Sequence, residues 1–174
     1  PYRQWLRIRS LKLVRFVTRH QGLMVARGNP RRIRSLADLA AGRARFVNRQ
    51  ATSGTRLMLE HLLAAARIPS SRINGYQSEE FTHAAVAATI ASGMADAGFG
   101  IEAAARHQGL DFVPLATEHY YLAARAATLA RPATQALLAA LRAAAYQKRV
   151  RALPGYGATG MGEIITVSEA LGSA

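Results

Sequence analysis

Cysteine is absent from all 174 residues. Its absence excludes disulfides, thiolate metal sites and cysteine nucleophiles, and it leaves the redox compartment open. Acidic residues are nearly missing from the first third. Residues 1–56 hold 14 Lys and Arg against Asp38 alone, whereas residues 57–174 carry nine of each sign. No stretch approaches the ~18 continuous apolar residues of a membrane span. The start, Pro1-Tyr2-Arg3-Gln4-Trp5, does not read as a secretory signal, because Arg7, Arg9, Lys12 and Arg15 interrupt each apolar stretch that follows. The expected setting is therefore cytoplasmic, with a periplasmic one as the alternative.

What is present is apolar mass. Half of the residues are hydrophobic, enough for a genuine core in one domain or in two small lobes. The basic third points to nucleic acid, an anionic membrane or an anionic ligand, or else to a solvated face of arginines. Its arginines are scattered through apolar, strand-like text rather than gathered on one helix face. No helix-turn-helix pattern, RNA-binding signature or metal finger accompanies them, which argues against DNA binding by this chain alone.

Strand text occupies Leu11–Val14, Phe16-Val17 and Leu23–Val25, stopped by Gly28-Asn29-Pro30. Ser35 and Asp38 have the spacing of a capping box and open a short helix. Arg45–Asn48 reads as a strand, Arg56–Arg67 as a helix, and Ile73–Tyr76 as a weak strand and turn. Thr82 caps a helix over 83–92, closed by Gly93. Ala95–Ile101 is a strand of small residues, followed by a helix over Glu102–His107 with Gly109 just beyond it. Phe112–Leu115 and His119–Leu122 are two further strands, 133–150 one long helix, and the glycine-rich tail from Leu153 reads as loose. Strands alternating with helices of about ten residues indicate an α/β fold on a mostly parallel sheet.

One loop carries chemistry. Asn48-Arg49-Gln50-Ala51-Thr52-Ser53-Gly54-Thr55-Arg56 joins a strand to a helix, the place where open α/β sheets bind ligands. The first helix amides lack internal acceptors and carry the positive end of the dipole. Gly54 lets backbone approach closely, Ser53 and Thr55 supply hydroxyl donors, and Arg49 and Arg56 add charge. The competing reading makes Thr52 or Ser53 an ordinary helix cap. A second helix start, Thr82-His83, points the same way; the dipole there favours a neutral His83. If both starts face one cleft, they form a two-sided anion site.

Catalytic constellations are missing. No Gly-Lys-Ser/Thr follows the loop, no Gly-x-Ser-x-Gly elbow occurs, and Glu79-Glu80 are sequence neighbours that point apart. The histidines at 20, 61, 83, 107 and 119 have no metal spacing. The reading is a non-enzymatic binding domain without metal or cofactor.

An ordered series of segments carries a family resemblance: Gln21-Gly22-Leu23-Met24-Val25-Ala26-Arg27-Gly28-Asn29-Pro30, Ser35–Leu39, Arg45–Gln50 with Ser53–Arg56, Gly75-Tyr76, Glu80, Thr82-His83, Ala95–Ile101 and Leu110–Leu115. From about residue 10 to about residue 157 the chain resembles the periplasmic-binding-protein-like domain related to molybdate-binding proteins. That domain is often fused to a helix-turn-helix segment or to a molybdopterin-biosynthesis protein. The resemblance implies a type II periplasmic-binding fold, two α/β lobes joined by crossover strands. Residues 30–95 would form the second lobe, and residues 1–29 with 96–174 the first lobe and crossovers. Only Pro1–Ser10 precede the first strand, so the first lobe is expected to be short or truncated. Carried over, the resemblance puts Ser53, Gly54 and Thr55, with Arg49 or Arg56, at a ligand such as molybdate or tungstate; Thr52, Thr82 and His83 join the candidate ligand-binding residues from the helix starts. Its partners would be a small anionic ligand, a fused or missing helix-turn-helix DNA-binding segment, and a second copy in a homodimer.

Overall fold

The computed structural model describes residues 11–41 and 44–171. The basic residues 1–10, including Arg3, Arg7 and Arg9, lie outside the described set. In chain order the elements are β1 (Leu11–Val25), α1 (Leu36–Ala40), β2 (Phe46–Arg49), α2 (Gly54–Ala65), β3 (Glu79–Glu80), α3 (His83–Ala91), β4 (Ala97–Ile101) and α4 (Glu102–His107). They continue with β5 (Asp111–Arg125), α5 (Ala126–Leu129), α6 (Pro132–Arg142), α7 (Ala144–Arg151), β6 (Tyr156–Gly157), β7 (Ile164–Thr166) and α8 (Val167–Leu171). The chain forms two compact units: residues 11–19 with 118–171, and His20–Thr117. Strands β1 and β5 each contribute to both, so the chain passes between the units twice.

The His20–Thr117 unit is an α/β layer with strand order β3-β2-β4-β1-β5. β2 runs parallel to β3 and to β4, and β4 runs antiparallel to β1. Strand residues alternate between faces, and β4 uses that alternation sharply. Ala97 and Phe99 enter one core with Leu23, Val25, Phe46, and Leu59 and Leu63 of α2. Gly98 and Gly100 face the other side, where Met24 and Val47 meet Val86, Ala87 and Ile90 of α3. A Cβ on Gly98 would lie 2.5 Å from Val86 Cγ1 and 2.9 Å from the Val47 carbonyl oxygen. The glycines thus admit an alanine-rich helix against the sheet.

The capping box forms as read. The Ser35 hydroxyl accepts from Asp38 N–H, and the Asp38 carboxylate accepts from Arg34 N–H and the Ser35 hydroxyl. The Arg34 bond, then the Ser35 bond, holds the Asp38 carboxyl below its ordinary value. Ile73–Tyr76 is a turn rather than a strand: Gly75 has φ +85°, and its missing Cβ lets the Phe46 carbonyl approach to 2.3 Å of that position. The pairing strand falls later, at Glu79–Glu80, against Asn48 and Arg49.

The other unit departs further from the sequence reading. The short strand segments merge into β1 and β5, because the polar residues between them remain in extended pairing. The long helix over 133–150 is two, broken where Ala143 takes ψ 125°. From Leu153 to Leu171 the tail is ordered, contrary to the expectation that it is loose. Ala158 and Met161 are buried with Val14, Leu129, Leu138, Leu141 and Val150, and β6 and β7 both pair with β1. Arg142 donates through Nε and Nη2 to the Gly162 carbonyl, and Gly162 N–H donates to Arg15 O. Turn glycines Gly160 and Gly162 sit at positive φ and mark chain reversals between packed residues. Among the described residues, no helix is long and apolar enough to cross a membrane.

Gly98→Ala overpacks the β4–α3 contact. Urea denaturation should record a loss of about 1–3 kcal/mol, the usual cost of an inserted carbon in a packed core.

Candidate functional site

The parallel strands β2 and β3 deliver two helix starts to one end of the sheet. α2 follows β2 and covers the face of Leu23, Phe46 and Phe99, whereas α3 follows β3 and covers the face of Met24 and Val47. The N-termini therefore stand at the carboxyl ends of the parallel strands, on opposite faces of the sheet.

Two hydrogen bonds stitch their loops together. Arg49 Nη2 donates to the Phe81 carbonyl at 2.9 Å, and Gln50 N–H donates to the Glu80 carbonyl at 3.2 Å. Arg49 Nε also donates to Gln50 Oε1 at 3.1 Å.

At α2, Ser53 is the cap and Thr52 is an exposed turn residue. The Ser53 hydroxyl accepts from Arg56 N–H at 3.1 Å. That bond uses an oxygen lone pair and leaves the O–H as a donor. Gly54 N–H and Thr55 N–H are first-turn amides with no acceptor within the helix. Thr55 is buried and Gly54 exposed. A Cβ on Gly54 would meet nothing within 4 Å, and its φ is not positive. The glycine is required neither by conformation nor by crowding from the protein; it leaves space above the helix start.

At α3, the Thr82 hydroxyl accepts from Ala85 N–H at 2.9 Å. His83 is half-buried, and its Nδ1 lies 3.1 Å from where a Gly100 Cβ would stand. Gly100 thus makes room for the imidazole against β4.

Arg56 is the sequence-identified residue whose role changes most. It is 4% exposed, with its guanidinium 4.0 Å from the centroid of the Tyr76 ring. Its Nε pairs with Glu60 at 3.1 Å and its Nη1 with Glu79 at 3.3 Å. Nη1 also reaches the Arg49 and Tyr76 carbonyls at 3.3 and 3.4 Å. Partnered on all these sides, the guanidinium braces the strand end and the 76–79 loop; the backbone amides and Arg49 are the donors nearest the helix start. Neighbouring Asn48, 1% exposed, accepts from Arg49 N–H and donates to the Tyr76 carbonyl.

No residue of β1 stands among the ligand-binding candidates read from the sequence, although Gln21-Gly22-Leu23-Met24-Val25 belongs to the family series. Yet Gln21 is 0% exposed, and among the described residues neither its Nε2 nor its Oε1 has a hydrogen-bond partner. The available signal was one amide set in otherwise apolar strand text, Gln21-Gly22-Leu23-Met24-Val25. Among the described residues, no group of three or more His, Cys, Asp or Glu could hold a metal ion.

A family model described as the PBP superfamily domain matches residues 1–142. The chain is 37% identical over 108 residues to the uncharacterized protein YvgK of Bacillus subtilis (strain 168), covering 62% of this chain and 35% of that protein. It therefore spans about a third of that relative. It is also 32% identical over 111 residues to an uncharacterized protein in the ferredoxin 2Fe-2S gene 5' region of Clostridium pasteurianum, covering 63% of this chain and 97% of that protein.

Among solved structures, a domain described as the substrate-binding part of a molybdenum ABC transporter of Clostridium difficile aligns with TM-score 0.63 and 16% identity, covering 83% of this chain and 66% of that one. PEB3 bound to L-phospholactate aligns with TM-score 0.60 and 17% identity, covering 83% and 68%; PEB3 is a Campylobacter jejuni protein. The effector-binding domain of QuiR in complex with shikimate aligns with TM-score 0.55 and 17% identity, covering 75% and 63%. At these identities the likeness carries the fold alone: the mixed α/β architecture is of the type II periplasmic-binding-protein kind over most of the chain.

Gly54→Ala separates a structural glycine from a ligand-side one. With no clash at its Cβ, the variant should be at least as stable as the parent, by up to about 1 kcal/mol through lower unfolded-state entropy. Its affinity for an anion seated on α2 should fall. Thermal melts and titration calorimetry on the same sample check both halves.

Proposed function

The chain belongs to the PBP superfamily, and from that premise we propose that it binds a small anionic ligand at the α2 and α3 starts without transforming it. One observation carries the reading: two helix N-termini, each with a hydroxyl cap that keeps a donor, begin at the same end of the parallel strands and are tied by the Arg49–Phe81 bond. Such ends concentrate amide donors and the positive pole of the helix dipole, which together favour anions. Ser53, Gly54, Thr55 and Arg49 make the α2 side, Thr82 and His83 the α3 side. Thr52 shapes the turn, and Arg56 acts as a positioning residue.

Oxyanions such as molybdate or tungstate are the first candidates. The likeness to a domain of a molybdenum ABC transporter supports them. A domain of this kind serves as the substrate-binding part of a transporter or supplies anion to molybdopterin biosynthesis.

A second reading has a specific support, the likeness to a regulator's effector-binding domain holding shikimate. On it the chain is the effector-sensing part of a helix-turn-helix transcriptional regulator in the cytoplasm, responding to an organic small molecule and acting as a homodimer.

Titration calorimetry with molybdate, tungstate, sulfate and phosphate tests the first reading, and silence from all four would sink it. Where one binds, Ser53→Ala and Arg49→Ala should each lose roughly 1.5–3 kcal/mol of binding free energy, the range for a hydrogen bond to a charged group. Circular dichroism of both variants should retain the parent helix content.

A further inference from the structure

The Gln21 side chain lies buried in β1 as an amide within apolar strand sequence. Buried amides are nearly always satisfied, because an orphaned donor or acceptor keeps the full cost of leaving water. Gln21 is 0% exposed, and among the described residues both ends of its amide are unpartnered. An apolar residue would fill that place without such a cost.

Its position in the sheet gives the amide a use. Gln21 pairs with Ile101, the last residue of β4. Strand alternation puts it on the face of Leu23 and Val25, two and four residues along, and these pack with Leu59 and Leu63 of α2. Because β2 and β4 are parallel, the carboxyl end of β4 is the end from which α2 departs. Gln21 therefore shares both face and sheet end with Ser53, Gly54 and Thr55. It stands one strand beyond β4, on which α2 lies.

We propose that Gln21 is a ligand-binding residue of the α2-start site, and that its amide selects an anion carrying its own hydroxyl. This rests on the anion-binding reading and, within it, ranks a hydroxylated organic anion above molybdate and tungstate. A primary amide presents donors at Nε2 and an acceptor at Oε1. A hydroxylated organic anion satisfies both ends: a ligand oxygen accepts from Nε2 while the ligand O–H donates to Oε1. A fully deprotonated oxyanion offers acceptors only. It leaves Oε1 orphaned beside negative charge, so molybdate and sulfate should be the weaker ligands.

The test pairs Gln21→Met, which keeps length and volume but removes the polar ends, with a panel of lactate, propionate, molybdate and sulfate. Lactate and propionate differ by the hydroxyl in question. The parent should bind lactate at least about tenfold more tightly than propionate, the scale of one satisfied buried polar group. Gln21→Met should erase that preference and raise the melting temperature of the ligand-free protein, whose orphaned amide is gone. A melting temperature that falls would make Gln21 a structural residue and overturn the proposal. So would molybdate binding more tightly than lactate with an affinity indifferent to the substitution. Silence from all four probes overturns the anion reading itself, whereas binding without hydroxyl preference overturns only the part assigned to Gln21.

Discussion

The His20–Thr117 unit depends on a steric constraint in one five-residue strand. β4 is flanked by helices on both faces, and the two faces demand different volumes. Ala97 and Phe99 fill the space beneath α2, while Gly98 and Gly100 leave almost none beneath α3. α3 answers with alanines and a branched pair, Val86 and Ile90, that lie on the glycine face. Were both faces of β4 built of large residues, α3 would be displaced outward, and Thr82 and His83 with it. The placement of the α3 start therefore follows from the absence of two side chains.

The loops at that end rely on a different device. Arg56 is a buried cation whose carboxylate partners, Glu60 and Glu79, come from its own helix and from β3, and whose other acceptors are backbone carbonyls of Arg49 and Tyr76. A planar guanidinium can satisfy several acceptors at fixed angles while stacking on a ring, which a lysine ammonium cannot do. The cost of burying the charge is met by this set of partners, and the strand end and the loop before β3 are held in register.

The parts of the molecule legible in the sequence are those governed by local chemistry. The Ser35–Asp38 box, the Thr82 cap, the ends of α3 and α4 at Gly93 and Gly109, and the α/β alternation depend on residues within a few positions of one another. The unforeseen parts are governed by distant partners. β3 is two glutamates whose strand character comes from pairing with Asn48 and Arg49. The tail is ordered because Ala158, Met161 and Ile165 are buried and β1 offers pairing positions more than a hundred residues earlier. Of the candidate site, the helix-start residues were readable from caps and glycine. That Arg56 turns inward could not be read, since Tyr76 and Glu79 are brought beside it only by the fold. Gln21 gave no periodic signal at all: a lone amide in an apolar strand reads like any interrupted run.

The threading of the chain through two units bears on how it is made. The His20–Thr117 unit is one uninterrupted stretch, so the pairings of β2 with β3 and β4 and the bonds at both helix starts can close once residue 117 has left the ribosome. The first half of β1 must wait much longer, because its antiparallel neighbours run through Tyr156-Gly157 and Ile164–Thr166. Until then Leu13 and Val14, both buried in the finished protein, are exposed strand residues without cover. Contacts of such sequence separation form slowly. During synthesis, the half of β1 that precedes residue 20 is thus open to mispairing with other nascent chains.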